Sequence, residues 1–70
     1  MKIEVGNYYY DSHHLNVVQV NHINNNWVDF DDVTVDKNGD ILYNNSYSSL
    51  EARVRLKPLS KILNILYGVK

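Results

Sequence analysis

Residues that favour turns recur at short intervals along most of the chain and separate short segments rich in β-branched and aromatic side chains. The turn signals lie at residues 6–7, 11–14, 24–26, 31–32 and 36–39. Short segments of this composition between turns are typical of antiparallel strands. The chain has 70 residues and no cysteine, so a small core has to be stable without disulfide bonds or thiolate-bound zinc. We therefore predict one mainly β domain.

The segments between these turns are predicted as strands. They cover residues 2–10, 15–23, 27–30, 33–35, 41–43 and 50–57, whereas the polar residues 44–49 are predicted as a loop. In the second strand the apolar positions change phase between Val17 and Val18, which indicates a bend or a bulge. The last strand alternates most regularly, with Leu50, Ala52, Val54 and Leu56 on one face and charged residues on the other.

The C-terminal segment, residues 59–67, has the i, i+3, i+4 spacing of an amphipathic helix, which Gly68 is expected to end. So short a helix is unstable alone in water and cannot cross a bilayer. We predict that it docks as a lid on the core; a partner site and a membrane anchor are the alternatives. With strands over about residues 2–56, we predict a single small antiparallel SH3-like barrel of five or six strands over residues 1–70. An OB-like barrel is the alternative.

The charge of the chain is nearly balanced but unevenly distributed. Seven Lys and Arg against eight Asp and Glu give a net charge of −1, which favours neither nucleic acid nor membrane as a partner of the whole chain. Residues 1–50 carry two basic and seven acidic residues, whereas residues 51–70 carry five basic and one acidic. A charged partner would therefore contact a local surface. No segment has the length of a membrane span, so we expect a cytoplasmic protein without membrane contact.

Three stretches of the sequence carry a resemblance to a known group. They are residues 3–8 (IEVGNY), residues 18–20 (VQV) and the tail from residue 57 to residue 69 (KPLSKILNILYGV). The two ends and this one strand are similar to small uncharacterised proteins from phages and mobile elements of the Bacteroidetes. More loosely, the opening resembles SH3, Tudor and KOW barrels. The resemblance implies a small barrel and a phage or mobile-element context, and it implies no functional residue.

The outward face of the predicted strand 50–57 is a candidate binding surface. Arg53, Arg55 and Lys57 alternate along it, and Lys61 follows shortly after. Alternate residues of a strand lie about 7 Å apart, a spacing comparable to that of neighbouring phosphates on one nucleic-acid strand. Such a face can contact nucleic acid or an acidic protein, and it can also be an ordinary solvated surface.

Tyrosine is frequent in this chain, with six residues among 70. Tyr8, Tyr9 and Tyr10 cannot all point into the core, because successive side chains of a strand alternate between its faces. Exposed tyrosine often anchors protein interfaces, since it buries a large area at a low cost in side-chain entropy. We therefore predict a partner surface formed by Tyr9, Tyr47 and the arginine face, with scattered surface aromatics as the alternative.

Other chemistries are only weakly indicated. The acidic residues 29–40 could imitate a phosphate backbone, but aspartate is also common in turns. Residues 36–40 match the start of a calcium loop, and the glycine and glutamate required later are missing. As possible metal ligands, His13 and His14 are poorly placed, because neighbouring side chains point to opposite sides of an extended chain. No nucleophile motif or paired-acid spacing is present, so we expect no metal, no cofactor and no catalysis.

These patterns favour a binding protein over an enzyme. We expect a phage or mobile-element accessory protein that binds and inhibits a host protein, such as a defence or nucleic-acid-processing enzyme. The alternative is a nucleic-acid-binding barrel that uses the basic face of strand 50–57. The sequence leaves the oligomeric state open, because the edge strands of a short barrel can pair with a second copy.

Overall fold

The computed structural model describes residues 2–33, 37–38 and 44–68. In chain order the elements are β1 (Tyr8–Asp11), β2 (Asn16–Ile23), β3 (Trp27–Asp32), β4 (Asn44–Ser48), α1 (Ser49–Arg55), β5 (Leu56–Pro58) and α2 (Lys61–Gly68). The strands form one antiparallel sheet in the order β4-β3-β2-β1-β5. The predicted class is confirmed, because this part of the chain is a small, mainly β fold of the SH3-like barrel type with five antiparallel strands and a short C-terminal helix.

The β2–β3 hairpin follows its predicted bounds most closely. The side-chain oxygen of Asn24 accepts hydrogen bonds from the backbone N–H groups of Asn26 (2.7 Å) and Trp27 (2.8 Å). Asparagine favours such turns because its side chain can bond to the backbone two residues later. The strand pairing shifts register between Val20 and His22. The predicted irregularity in this strand is therefore present, but it lies later than the change of phase between residues 17 and 18 suggested.

The residues before β1 differ from the prediction. Gly6 has a φ of +89°, and its N–H donates to the carbonyl of Val20 at 2.8 Å. Glycine adopts this backbone conformation at little cost, whereas other residues rarely do. The first strand therefore begins at Tyr8 instead of residue 2. At the other end of the hairpin, β3 continues through Asp32, so the turn predicted at residues 31–32 is wrong.

The largest errors of prediction lie between residues 44 and 57. The predicted strand 50–57 is wrong, because α1 occupies most of it, and the predicted loop 44–49 contains β4. The side chain of Ser48 accepts a hydrogen bond from the N–H of Glu51 (3.2 Å) and so caps the start of α1. Residues 34–35 and 41–43 of the next two predicted strands lie outside the described residues, as do residues 36 and 39 of the turn between them. Of the residues described here, Val33 is not in a strand, and Lys37 and Asn38 lie in a turn.

The core lies between the inner face of the sheet and α1. Its buried members are Tyr9, Val18, Val20, Val28, Phe30, Tyr47, Ala52 and Leu56. The strand members alternate along their strands, as expected for one face of a sheet. Ala52 lies on α1, and Leu56 directly follows the helix as the first residue of β5. α1 therefore covers the inner face that the C-terminal helix was predicted to cover.

α2 attaches to the edge of β1, where β5 has ended. The N–H of Tyr8 donates to Oδ1 of Asn64 (2.8 Å), and Nδ2 of Asn64 donates to the carbonyl of Tyr8 (3.3 Å). β5 ends at Pro58, which pairs with Tyr9. The side-chain amide of Asn64 therefore bonds to Tyr8 where the next residue of β5 would otherwise pair. α2 buries none of its side chains. The lid prediction is therefore wrong, although the predicted helix 59–67 lies close to the observed one.

Candidate interaction site

The structure separates the basic residues that the sequence placed on one strand face. Arg53 and Arg55 lie on α1, Lys57 lies on β5, and Lys61 begins α2. Arg53, Lys57 and Lys61 are exposed, whereas Arg55 is half-buried. The regular spacing of about 7 Å along a strand is absent here, because a helix does not place alternate residues on one face. The prediction of a basic strand face over residues 50–57 is wrong.

Arg55 makes contacts within the fold. Its Nη2 lies 2.9 Å from Oε1 of Glu51, one helical turn earlier. Its guanidinium carbon lies 4.4 Å from the ring centroid of Tyr47, within the range of a cation–π interaction. The carbonyl of Arg55 accepts hydrogen bonds from the N–H (3.0 Å) and Oγ (2.9 Å) of Ser12. Arg55 therefore connects the end of α1 to the β1–β2 turn and to β4.

The two tyrosines predicted to be exposed are buried. Tyr9 is 3% exposed and Tyr47 is 7% exposed. The hydroxyl of Tyr9 accepts a hydrogen bond from the N–H of Glu4 at 2.8 Å. The predicted exposure of both residues is wrong, and they cannot be surface anchors in this conformation. Trp27 and Tyr67 are the aromatic side chains that the described parts of the chain expose most.

Asp11, His14 and Tyr47 form a polar group at the β1–β2 turn, which we call the Asp11 cluster. The carboxylate of Asp11 is buried, and its Oδ1 accepts from the N–H groups of His13 (2.9 Å) and His14 (3.3 Å). Its Oδ2 lies 2.8 Å from the hydroxyl of Tyr47 and 2.8 Å from Nδ1 of His14. The hydroxyl and Nδ1 lie 2.6 Å apart.

The Tyr47 hydroxyl donates to the Asp11 carboxylate, because an ionised carboxylate can only accept. His14 also donates to this carboxylate in the form of its ring that carries a proton on Nδ1. Burial acts to raise the pKa of Asp11, but the hydrogen bonds from His14, from Tyr47 and from the two backbone N–H groups together hold this pKa below its usual value. Burial and the bond to Asp11 raise the pKa of Tyr47, although Arg55 acts in the opposite direction. At neutral pH the cluster therefore contains an ionised aspartate and a neutral tyrosine.

A second polar group lies on the outer face of the sheet. Ser46 Oγ donates to Asp29 Oδ1, and Nδ1 of His22 lies 3.6 Å from the other carboxylate oxygen. In a catalytic triad the serine donates to the histidine, which acts as its base. Here the serine donates to the carboxylate, so His22 is not placed to activate it. Across residues 2–33, 37–38 and 44–68, no three histidine or acidic side chains are grouped so that they could hold a metal ion.

The apolar residues of α2 remain in solvent. Ile62, Ile65 and Leu66 are 71%, 58% and 60% exposed, and their i, i+3, i+4 spacing places them on one side of the helix. We call these three residues the α2 stripe. The ring centroid of Tyr67 lies 5.8 Å from that of Tyr8, which is itself buried. The sheet therefore holds α2 through Asn64 and Tyr67, and the stripe stays uncovered.

Comparison with protein-family models, curated proteins and solved structures shows no match to this chain. In the part of the chain that the structure describes, no helix has the length and apolar character needed to cross a membrane. The α2 stripe is one of the groups of large apolar side chains that the described part of the fold leaves in solvent, and it is the one that lies on a helix held to the sheet by other residues.

Proposed function

We propose that this chain is a non-catalytic protein-binding module that contacts its partner through the α2 stripe. Large apolar side chains grouped on a surface mark interaction sites, because covering them removes apolar area from water. Anchors spaced i, i+3 and i+4 are those of a helix that binds in a groove of its partner. The single observation that carries the proposal is the exposure of Ile62, Ile65 and Leu66 on a helix that the sheet holds by other residues.

The sequence resemblance to phage and mobile-element proteins supports a more specific role. We propose an accessory protein that acts in the cytoplasm of a host cell, where it binds a host protein and inhibits it, as an inhibitor of a defence or nucleic-acid-processing enzyme would. Such inhibition needs no reaction by this chain, because an occupied groove is closed to its usual ligand. The exposed Lys61, next to the stripe, can contact acidic groups around such a groove.

The test is a capture experiment with matched variants. The tagged chain, residues 1–70, is incubated with a lysate of a Bacteroidetes bacterium, with and without nuclease, and captured proteins are identified by mass spectrometry. Ile65→Asp with Leu66→Asp places two charges in the α2 stripe. Leu50→Asp with Val54→Asp places the same two charges on the exposed apolar pair of α1 and serves as the control. Circular dichroism verifies that both variants fold.

We expect one stoichiometric protein that survives nuclease, disappears with the stripe variant and is retained by the control. A partner that the stripe variant still captures would contradict the proposal. Ribosomal or DNA-associated proteins that vanish after nuclease treatment would instead favour the nucleic-acid alternative, in which Arg53, Lys57 and Lys61 contact phosphates.

A further inference from the structure

An open groove of about 460 Å³ lies between the N-terminal segment, the β2–β3 turn and α1. Its lining consists of the apolar residues Ile3, Ile23 and Val28, the polar residues Asn24, Asn25 and Ser49, and the basic residues Lys2 and Arg53. Val28 is buried, and Ile3 and Ile23 are half-buried, whereas both basic residues are exposed. The groove therefore combines an apolar part formed by Ile3, Ile23 and Val28, which we call its floor, with neutral polar side chains and two cations, Lys2 and Arg53, which we call its basic rim. None of its lining residues belongs to α2.

The two cations of the rim are available to a ligand. Arg55 on the same helix is paired with Glu51, but within the described ranges of the chain Lys2 and Arg53 have no ion-pair partner. Each would gain from a carboxylate brought close to it, because the apolar floor excludes water from part of the contact.

The combination of floor and rim selects among anionic ligands. A groove of this volume accepts a few side chains, and apolar surface with a few placed charges is typical of binding sites. A nucleic-acid backbone would pair with the cations and leave the floor uncovered. A peptide with an apolar side chain between carboxylates would use both parts. The charge and the apolar floor together thus favour a peptide.

We propose that this groove binds an acidic segment of a partner protein, with an apolar side chain on Ile3, Ile23 and Val28 and carboxylates against Lys2 and Arg53. The groove is a contact separate from the α2 stripe, so either surface can fail its test without the other. It extends the proposed protein-binding function by giving the chemical character of a second contact on the partner.

The probe is a five-residue capped peptide with a central leucine and two glutamates on each side, titrated into isotope-labelled full-length protein and followed by NMR. We expect saturable shift changes at Ile3, Ile23 and Arg53. Lys2→Glu with Arg53→Glu should weaken binding by about tenfold or more, since attraction at two positions becomes repulsion. Lys57→Glu with Lys61→Glu changes the net charge equally outside the groove, and it should alter the affinity by less than about twofold.

Several results would overturn the proposal. These are a lack of saturable shifts at millimolar peptide, equal weakening by both charge-reversal pairs, and equal binding of a peptide with glycine in place of the leucine. Displacement of the peptide by a thymidine oligonucleotide of similar charge would identify a general anion site instead. The variant Ile65→Asp with Leu66→Asp should bind the peptide normally, and a loss there would place the peptide on α2.

Discussion

The two helices are nearly equal in length, yet the fold uses them in opposite ways. α1 has seven residues and places Ala52 in the core, and Leu56, which follows it directly, is also fully buried. α2 has eight residues, is rich in isoleucine and leucine, and buries none of them. The more apolar sequence is thus the less buried one. Apolar content alone therefore does not assign a helix to the core. α1 lies against the inner face of the sheet, whereas α2 is attached to the edge of β1.

The first prediction compares one leucine from each region. Leu56 is fully buried beside α1, so Leu56→Ala should lower the free energy of unfolding by about 3 kcal/mol through lost burial and a cavity. Leu66 is exposed on α2, and Leu66→Ala should change the free energy of unfolding by less than about 0.5 kcal/mol. Urea unfolding followed by circular dichroism measures both. Equal losses would mean that α2 is part of the core after all.

The second prediction compares two tyrosines that differ in their hydroxyl contacts. Tyr47→Phe removes a donor from the buried carboxylate of Asp11 and should cost about 2 kcal/mol, the range for hydrogen bonds to charged groups. Tyr67→Phe keeps the ring that lies against Tyr8 and should cost almost nothing. Thermal unfolding of the two variants and the wild type provides the measurement. If Tyr47→Phe is as stable as the wild type, the hydrogen bond from the Tyr47 hydroxyl to Asp11 contributes nothing to stability.

The third prediction concerns the attachment of α2. Asn64→Ala removes both hydrogen bonds to the backbone of Tyr8 and should lower stability by about 1 kcal/mol. Hydrogen exchange of the Tyr8 amide should accelerate, while amides in β2 and β3 keep their protection. Leu66→Ala, on the same helix, is the control and should leave the Tyr8 amide protected. A fully protected Tyr8 amide in Asn64→Ala would show that other contacts hold α2.

The smallest effect we expect is a dependence on pH, because protonation weakens contacts of Asp11 without removing a side chain. Its pKa is lower in the folded state, so its contribution is present above about pH 4 and is lost as the pH falls through the folded value. The pKa of Tyr47 is raised, so its contribution is present below about pH 10 and is lost as the pH rises further.

Urea unfolding at a series of pH values tests both limits. Asp11→Asn should remove much of the loss on the acid side, and Tyr47→Phe should remove much of the loss on the alkaline side. Asp31→Asn, a change outside the Asp11 cluster, should preserve both. An unchanged acid limit in Asp11→Asn would assign the acid sensitivity to other carboxylates.

Local sequence signals predicted the parts of the fold that depend on local contacts. The β2–β3 hairpin was predictable because the side chain of Asn24 forms the turn with its own neighbours. α1 carried two competing signals. The alternating apolar residues of 50–56 favoured a strand, whereas the S-x-x-E pattern from Ser48 to Glu51 is the signature of a helix start. Only the burial of Ala52 and Leu56 decides between a strand and a helix here, and this burial depends on the whole fold.

The remaining errors have long-range causes. β4 is polar and lacks an apolar pattern, and it becomes a strand because β3 offers an edge to pair with. The hydrogen bond between Asp11 and Tyr47 joins residues 36 positions apart, and the one between Tyr8 and Asn64 joins residues 56 apart. No local pattern predicts such pairs. For the same reason the sequence placed Tyr9 and Tyr47 at the surface and favoured a lid for the C-terminal helix, with a partner site only as an alternative.

Since α2 is attached through the Asn64 amide and the Tyr67 ring, the other side chains of this helix can change without loss of these contacts. Because the sheet contacts α2 mainly through these two positions, substitutions at Ile62, Ile65 and Leu66 should leave the free energy of unfolding nearly unchanged. Under the proposed function, related proteins could therefore acquire a different target through these three side chains while the rest of the fold stays the same. The same separation offers a designer a 70-residue, cysteine-free frame on which to display a chosen helical epitope.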